Sequence, residues 1–108
     1  MAKAMELTVD IYKLTKKFPH AEQFSLTDQI QRATSAVAAN IAEGNARKTG
    51  KAHFTIIVFS SLMETMNHII LAFKLNYIHE STLDMYRIKI KEIASMLSSL
   101  QNYQLSHL

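Results

Sequence analysis

Leu7, Ile11, Leu14 and Phe18 recur at spacings of four, three and four residues, which places all four on one face of a helix. Pro19 closes that segment, because proline lacks the N–H that a helix interior needs. The pattern predicts a first helix over about 3–17, with Lys16 and Lys17 in its last turn, where cations meet the negative end of the helix dipole. A second stripe, Leu26, Ile30, Ala33, Val37 and Ile41, predicts a helix over about 26–43. Ser25 with Asp28 reads as its capping box, and Gly44 as its left-handed C-terminal cap. Ala33, Ala36, Ala38, Ala39 and Ala42 give this helix a thin surface that a neighbour can approach closely.

The third stretch, about 50–78, is the longest and most apolar. Ile56, Phe59, Met63, Met66, Ile70, Phe73 and Tyr77 form one seam, and Val58, Leu62, Ile69 and Ala72 form a second beside it. Together they cover about half the circumference, more than the stripe of an ordinary surface helix. Such a helix lies at the centre of its bundle or also faces another subunit, and in a domain this small self-association is expected. The fourth helix, about 82–105, opens with Ser81 and Asp84 in capping-box spacing and carries Leu83, Tyr86, Ile90, Ile93, Leu97 and Leu100 at heptad intervals. Short connections make sequential helices antiparallel neighbours, so the expected fold is all-α, a single up-down-up-down four-helix bundle over residues 1–108.

Composition narrows the class further. Two glycines and one proline in 108 residues are too few for the turns of an all-β protein. The absence of cysteine removes disulfides and thiolate metal sites. Met1-Ala2-Lys3-Ala4-Met5-Glu6 has an acid where a signal peptide needs an apolar run, so a cytoplasmic protein with no membrane partner is expected. Twelve Lys and Arg against nine Asp and Glu give a formal charge of +3, a mild tilt toward anionic partners.

Candidate chemistry is sparse. The histidines, His20, His53, His68, His79 and His107, show none of the Glu-x-x-His pairs of a bundle metal site. Glu64 and His68 stand one turn apart, read as a helix-surface pair rather than two metal ligands. No nucleophile elbow or phosphate loop is present, so neither an enzyme, a cofactor nor a metal is expected. Phe18, Phe24 and Tyr12 fall at or near the apolar stripe and are assigned to the core. Three tracts are basic: Lys13, Lys16, Lys17 and His20; Arg47, Lys48, Lys51 and His53; and Arg87, Lys89 and Lys91. In an antiparallel bundle the first two lie at opposite ends, so the basic residues are not expected to form one patch on a monomer.

Phe18-Pro19, the stretch from Phe24 to Gly44 and the basic loop after it carry a resemblance. Leu26, Gln29, Ile30, Arg32, Ala33, Ser35, Asn40, Ile41, Ala42, Glu43, Gly44 and Arg47, with Ser61-Leu62 and Glu64 further on, resemble the signature of the small bundle proteins encoded in intervening sequences of bacterial 23S ribosomal RNA genes. Ala38 stands where that family commonly has proline, which predicts a straighter second helix, and Gln31 replaces the first of two arginines. The resemblance implies a ring-like homopentamer. Similarity in fold to the accessory proteins of diversity-generating retroelements, pentamers that bind nucleic acid and a reverse transcriptase, implies a nucleic-acid role.

Two readings of the signature stay open. In one, Arg32, Asn40, Glu43 and Glu64 form a buried polar network tying the second helix to the third. In the other, Arg32 and Arg47, with Lys48 and Lys51, contact phosphate in RNA or DNA, structured RNA first. Asn40, Glu43 and Gly44 are structural in either case. A scaffold that binds a protein partner, with no direct nucleic-acid role, is the alternative function.

Overall fold

The computed structural model describes residues 2–106, so His107 lies outside the described residues. Four helices, α1 (Ala2–Thr15), α2 (Leu26–Ala46), α3 (Lys51–Lys74) and α4 (Glu80–Ser106), make an elongated bundle of 46 × 24 × 19 Å. Pairings between neighbours run in opposite directions. Thr8 and Thr15 of α1 meet Thr34 and Gln31 of α2, and Lys3 and Asp10 of α1 meet Glu92 and Lys89 of α4. The core is built from the faces that periodicity picks out: Leu7 and Ile11; Leu26, Ile30, Ala33, Val37 and Ile41; Val58, Leu62, Ile69 and Ala72; and Leu83, Tyr86, Ile90, Ile93 and Leu97.

Helix ends depart from expectation in several places. α1 stops at Thr15, and Lys16 and Lys17 lie in a turn closed by Lys17 N–H to Leu14 O and Phe18 N–H to Thr15 O, both 3.0 Å. Pro19 restricts the residue before it, and Phe18 drops into the core, its ring 5.5 Å from that of Tyr77. The capping box at Ser25 does not form: its hydroxyl donates to Glu22 Oε1 at 2.5 Å, and Asp28 pairs with Arg32 instead. Helix α3 ends at Lys74 rather than near 78. Asn76 adopts a left-handed φ of 64°, with Tyr77 N–H bonding Ala72 O and Asn76 N–H bonding Phe73 O, the paired bonds of a Schellman cap. Helix α4 starts at Glu80, which puts Ser81 inside its first turn, and His79 O accepts the N–H groups of Thr82 and Leu83. Consistent with Ala38, α2 is one continuous helix of 21 residues.

Gly44 is not a left-handed cap. It is buried inside α2, which continues to Ala46, and a Cβ added there would sit 2.9 Å from Phe54 Cβ on α3. The glycine is demanded by the close approach of two helices. The left-handed glycine is Gly50, with φ 75°, at the N-terminus of α3 and in open space. Deeper in the same interface Thr34 and Thr65 are fully buried. Each hydroxyl bonds the carbonyl one turn back, Ile30 O at 2.7 Å and Ser61 O at 2.9 Å, and the two oxygens lie 3.4 Å apart.

Of the two α3 seams, Val58, Leu62, Ile69 and Ala72 are buried. The other is only partly covered: Phe59, Met66, Ile70, Phe73 and Tyr77 pack against the edge of the core, while Ile56 and Met63 remain 53% and 49% exposed. By length and composition α3 could cross a membrane, yet its Val58, Leu62, Ile69 and Ala72 are buried in the core of this bundle. Two of the aromatic assignments need correction. Phe24 is 88% exposed in the segment before α2, and Tyr12 is exposed with its hydroxyl 3.4 Å from Ser35 Oγ; only Phe18 is core.

The two glycines therefore separate by substitution. Gly44→Asn should cost about 1–3 kcal/mol through overpacking against Phe54, whereas Gly50→Asn should cost less than about 1 kcal/mol, since asparagine accepts a left-handed φ. Denaturant unfolding followed by circular dichroism measures both. A second expectation concerns Glu22, whose carboxylate accepts hydrogen bonds from Ser25 and, at 2.7 Å, from Tyr77. These bonds, Ser25 first, hold its carboxyl below the ordinary value. A lowered folded-state pKa contributes stability above the unfolded value that disappears as pH falls through the folded one. Tyr77→Phe should lower the melting temperature at neutral pH, and the gap to wild type should narrow as the solution is acidified below the usual carboxylate range.

Candidate nucleic-acid interface

The α2–α3 connection is short because α2 runs on past Gly44 and the left-handed Gly50 turns the chain directly into α3. Arg47, Lys48 and Lys51 are all exposed on this one end of the bundle. The Arg47 guanidinium lies 4.9 Å over the Phe54 ring, with Nη1 3.5 Å from Glu43 Oε1, so it is partly held in place. Lys48 and Lys51 enter no ion pair among the described residues. His53 stands beside them, edge-on to Phe54 at 5.9 Å. The first amides of α3 open onto the same surface.

Arg32 does not join this group. It lies fifteen residues earlier on the same helix, about 22 Å away along the axis at 1.5 Å per residue. Its Nε is 3.0 Å from Asp28 Oδ2 on the exposed side of α2, so its charge is already matched. The polar network between α2 and α3 is likewise absent. Asn40 donates to Ala36 O at 2.8 Å, Glu43 faces Arg47, and Glu64 faces His68 at 3.9 Å, each partner within its own helix. The physical reason is space: Ala33, Thr34, Val37 and Gly44 bring the helices too close for a layer of long polar side chains. His68 is buried at the edge of α3, and neither ring nitrogen has a hydrogen-bond partner. Among the described residues no three potential metal ligands converge.

The first and third basic tracts meet. Lys13 of α1, Lys17 in the turn after it and Lys89 of α4 line one groove between those helices. The signal was available in the topology, because an antiparallel bundle closes by pairing its first helix with its last. Arg87 and Lys91 face another way, flanking an apolar groove of about 290 Å³ between α3 and α4 that Met63, Met66, Ile70, Ile90 and Ala94 line.

The arrangement defines a small helical bundle with a basic loop at one end, a basic groove along one side and a partly uncovered apolar seam. A family model, 23S rRNA-intervening sequence protein, matches residues 1–99, and the chain belongs to that family. Among solved structures it is similar to a protein of unknown function from the S23 ribosomal protein family of Bacteroides thetaiotaomicron. The two share 23% identity over 93% of this chain and 95% of that chain, with a TM-score of 0.85, a likeness of fold. No curated protein matches.

Because the signature polar residues bond within their own helices, Asn40→Ala and Glu43→Gln should each change stability by no more than about 0.5 kcal/mol. A loss above about 2 kcal/mol in either variant, the scale of a stranded buried polar group, would restore the inter-helix network.

Proposed function

We propose that this protein is a non-enzymatic, self-associating bundle that binds nucleic acid, structured RNA first, through the loop between α2 and α3. The observation that carries the reading is the grouping of Arg47, Lys48 and Lys51 on one exposed end with Glu43 as the one carboxylate paired there. Phosphate contacts need exposed cations. Lys48 and Lys51, which enter no ion pair among the described residues, meet that requirement better than Arg32, which Asp28 engages. Arg47, paired with Glu43, adds its charge beside them. The family's name, which places its members in intervening sequences of 23S rRNA, supports an RNA setting.

Self-association follows from the uncovered α3 seam. Ile56, Met63 and the groove beside α4 leave apolar surface that a second copy would cover. A ring, five-membered as the family resemblance implies, would set all copies of the loop on one rim and multiply a modest monomer charge. The same apolar groove, together with exposed Phe24, favours the second reading, a cytoplasmic scaffold that docks a protein partner without touching nucleic acid.

Titration of labelled RNA and DNA at two salt concentrations separates the two. Phosphate-driven binding weakens steeply with salt, and changing Arg47, Lys48 and Lys51 together to glutamine should lower the slope of log affinity against log salt by about two. Helicity and oligomer mass should not change in that variant. Wild-type protein that binds neither RNA nor DNA at low salt would favour the scaffold, and a monomeric mass by light scattering would remove self-association.

A further inference from the structure

Along the side of the bundle, α1 and α4 touch more thinly than any sequential pair of helices, and the space between them is only partly filled. A groove of about 330 Å³ lies between the C-terminal half of α1 and the first turns of α4. Lys13 lines it from α1, Lys17 from the turn after α1, Lys89 and Thr82 from α4, and Leu14, Met85 and Tyr86 supply its apolar lining. Asp10 is the one carboxylate in the lining, and it bonds Lys89 Nζ at 2.6 Å, which leaves Lys13 and Lys17 uncompensated. Lys13 lies near the end of α1 and Lys17 in the turn that follows it, and the groove brings both side chains to one surface.

We propose that this groove binds a chain of phosphates, with Lys13 and Lys17 engaging adjacent phosphoryl groups and Lys89 with Thr82 closing the α4 side. Two features suit the groove to phosphate. The cations are lysines, compact point charges that can each take a phosphoryl oxygen without a fixed bidentate geometry. A second hollow of about 140 Å³ continues beyond the Asp10–Lys89 pair, but Glu6 and Glu92 line it and Lys3 is already paired with Glu92, so the phosphate site is confined to the first groove. The neutral donors are of the right kind: Thr82 offers a hydroxyl, and Tyr86 remains a phenol because burial, with the Asp10 charge adding to it, pushes its pKa up to about 12. This site is separate from the loop at Arg47, which lies at the other end of the bundle, and does not depend on that reading. The phosphate chain has two possible sources, a free polyphosphate or nucleotide and the backbone of a single strand.

The test is titration of isotopically labelled protein at matched ionic strength, with inorganic tripolyphosphate in one arm and a short single-stranded oligonucleotide in the other, read by backbone amide shifts. Saturable shifts that cluster at Lys13, Lys17, Thr82 and Lys89 are expected, and K13Q/K17Q should weaken them roughly tenfold or more. Saturation by tripolyphosphate alone assigns a free phosphate chain, and saturation by the oligonucleotide alone assigns a nucleic-acid backbone. No saturable shift in either arm, or shifts that K13Q/K17Q leaves unchanged, overturns the proposal. Both substituted lysines are exposed and unpaired among the described residues, so the variant keeps its fold. The variant with Arg47, Lys48 and Lys51 changed to glutamine keeps the two readings apart: it should lose loop-mediated binding and retain the tripolyphosphate shifts.

Discussion

The close approach of α2 and α3 is the constraint on which most of the structure depends. Gly44 meets Phe54 Cβ with no room for another carbon, and Ala33, Thr34 and Val37 continue the narrow seam. Helices packed this tightly exclude long polar side chains, so Asn40, Glu43 and Glu64 turn back to their own helices. The same contact fixes Phe54 beneath the loop, where its ring supports the Arg47 guanidinium. A packing requirement inside the bundle therefore positions a cation at its end. It also orients α3: with one seam pressed against α2 and the core, the second is turned toward α4 and solvent.

Closure of the bundle is of a different kind. Where α1 meets α4, ion pairs take the place of a continuous apolar seam: Lys3 with Glu92 and Lys89 with Asp10. The Lys3–Glu92 hydrogen bond holds the lysine above its ordinary pKa. Exposed pairs of this sort contribute little stability and are screened by salt. α1 is also the shortest of the four helices, at 14 residues against 21, 24 and 27. Fewer turns and a thinner contact leave the grooves on this side, while the hollow beside Gly44 and Phe54 at the α2–α3 interface measures only about 20 Å³.

Periodicity made the faces legible and the helix ends much less so. Leu26, Ile30, Ala33, Val37 and Ile41 are all buried, as are Leu83, Tyr86, Ile90, Ile93 and Leu97, because apolar spacing and burial are two expressions of one geometry. A lone glycine carries no such redundancy. Gly44 near the end of an apolar stripe has the same local sequence whether it caps a helix or admits a neighbour, and only the position of Phe54, ten residues on, decides. Asn76 ends α3 by going left-handed within a run whose apolar pattern continues to Tyr77 and Ile78, so the pattern overran the cap. Phe24 counts as apolar in any composition, but it falls between Glu22 and the start of α2, where no helix face carries it inward. Of the candidate site, the cluster at Arg47, Lys48 and Lys51 was readable because its members are adjacent in sequence. Arg32 was grouped with them by motif, which says nothing about distance along the helix.

The formal charge of +3 understates what a polyanion would meet, because the acids are distributed unequally among partners. Five of the nine carboxylates, Asp10, Asp28, Glu43, Glu64 and Glu92, face a cation or His68, and a sixth, Glu22, is held by Ser25 and Tyr77. These pairs neutralise Lys3, Arg32, Arg47 and Lys89 and leave Lys13, Lys16, Lys17, Lys48, Lys51, Lys74, Arg87 and Lys91 outside any ion pair among the described residues. The remaining acids are Glu6, near the start of α1, and Glu80 and Asp84, in the first turns of α4, where they face the positive end of the helix dipole. Potential at a surface depends on which charges are compensated nearby and not on their sum over the chain. A nearly neutral protein thereby presents locally cationic surfaces at its loop, through Lys48 and Lys51, and along its α1–α4 groove, through Lys13 and Lys17, none of which enters an ion pair among the described residues.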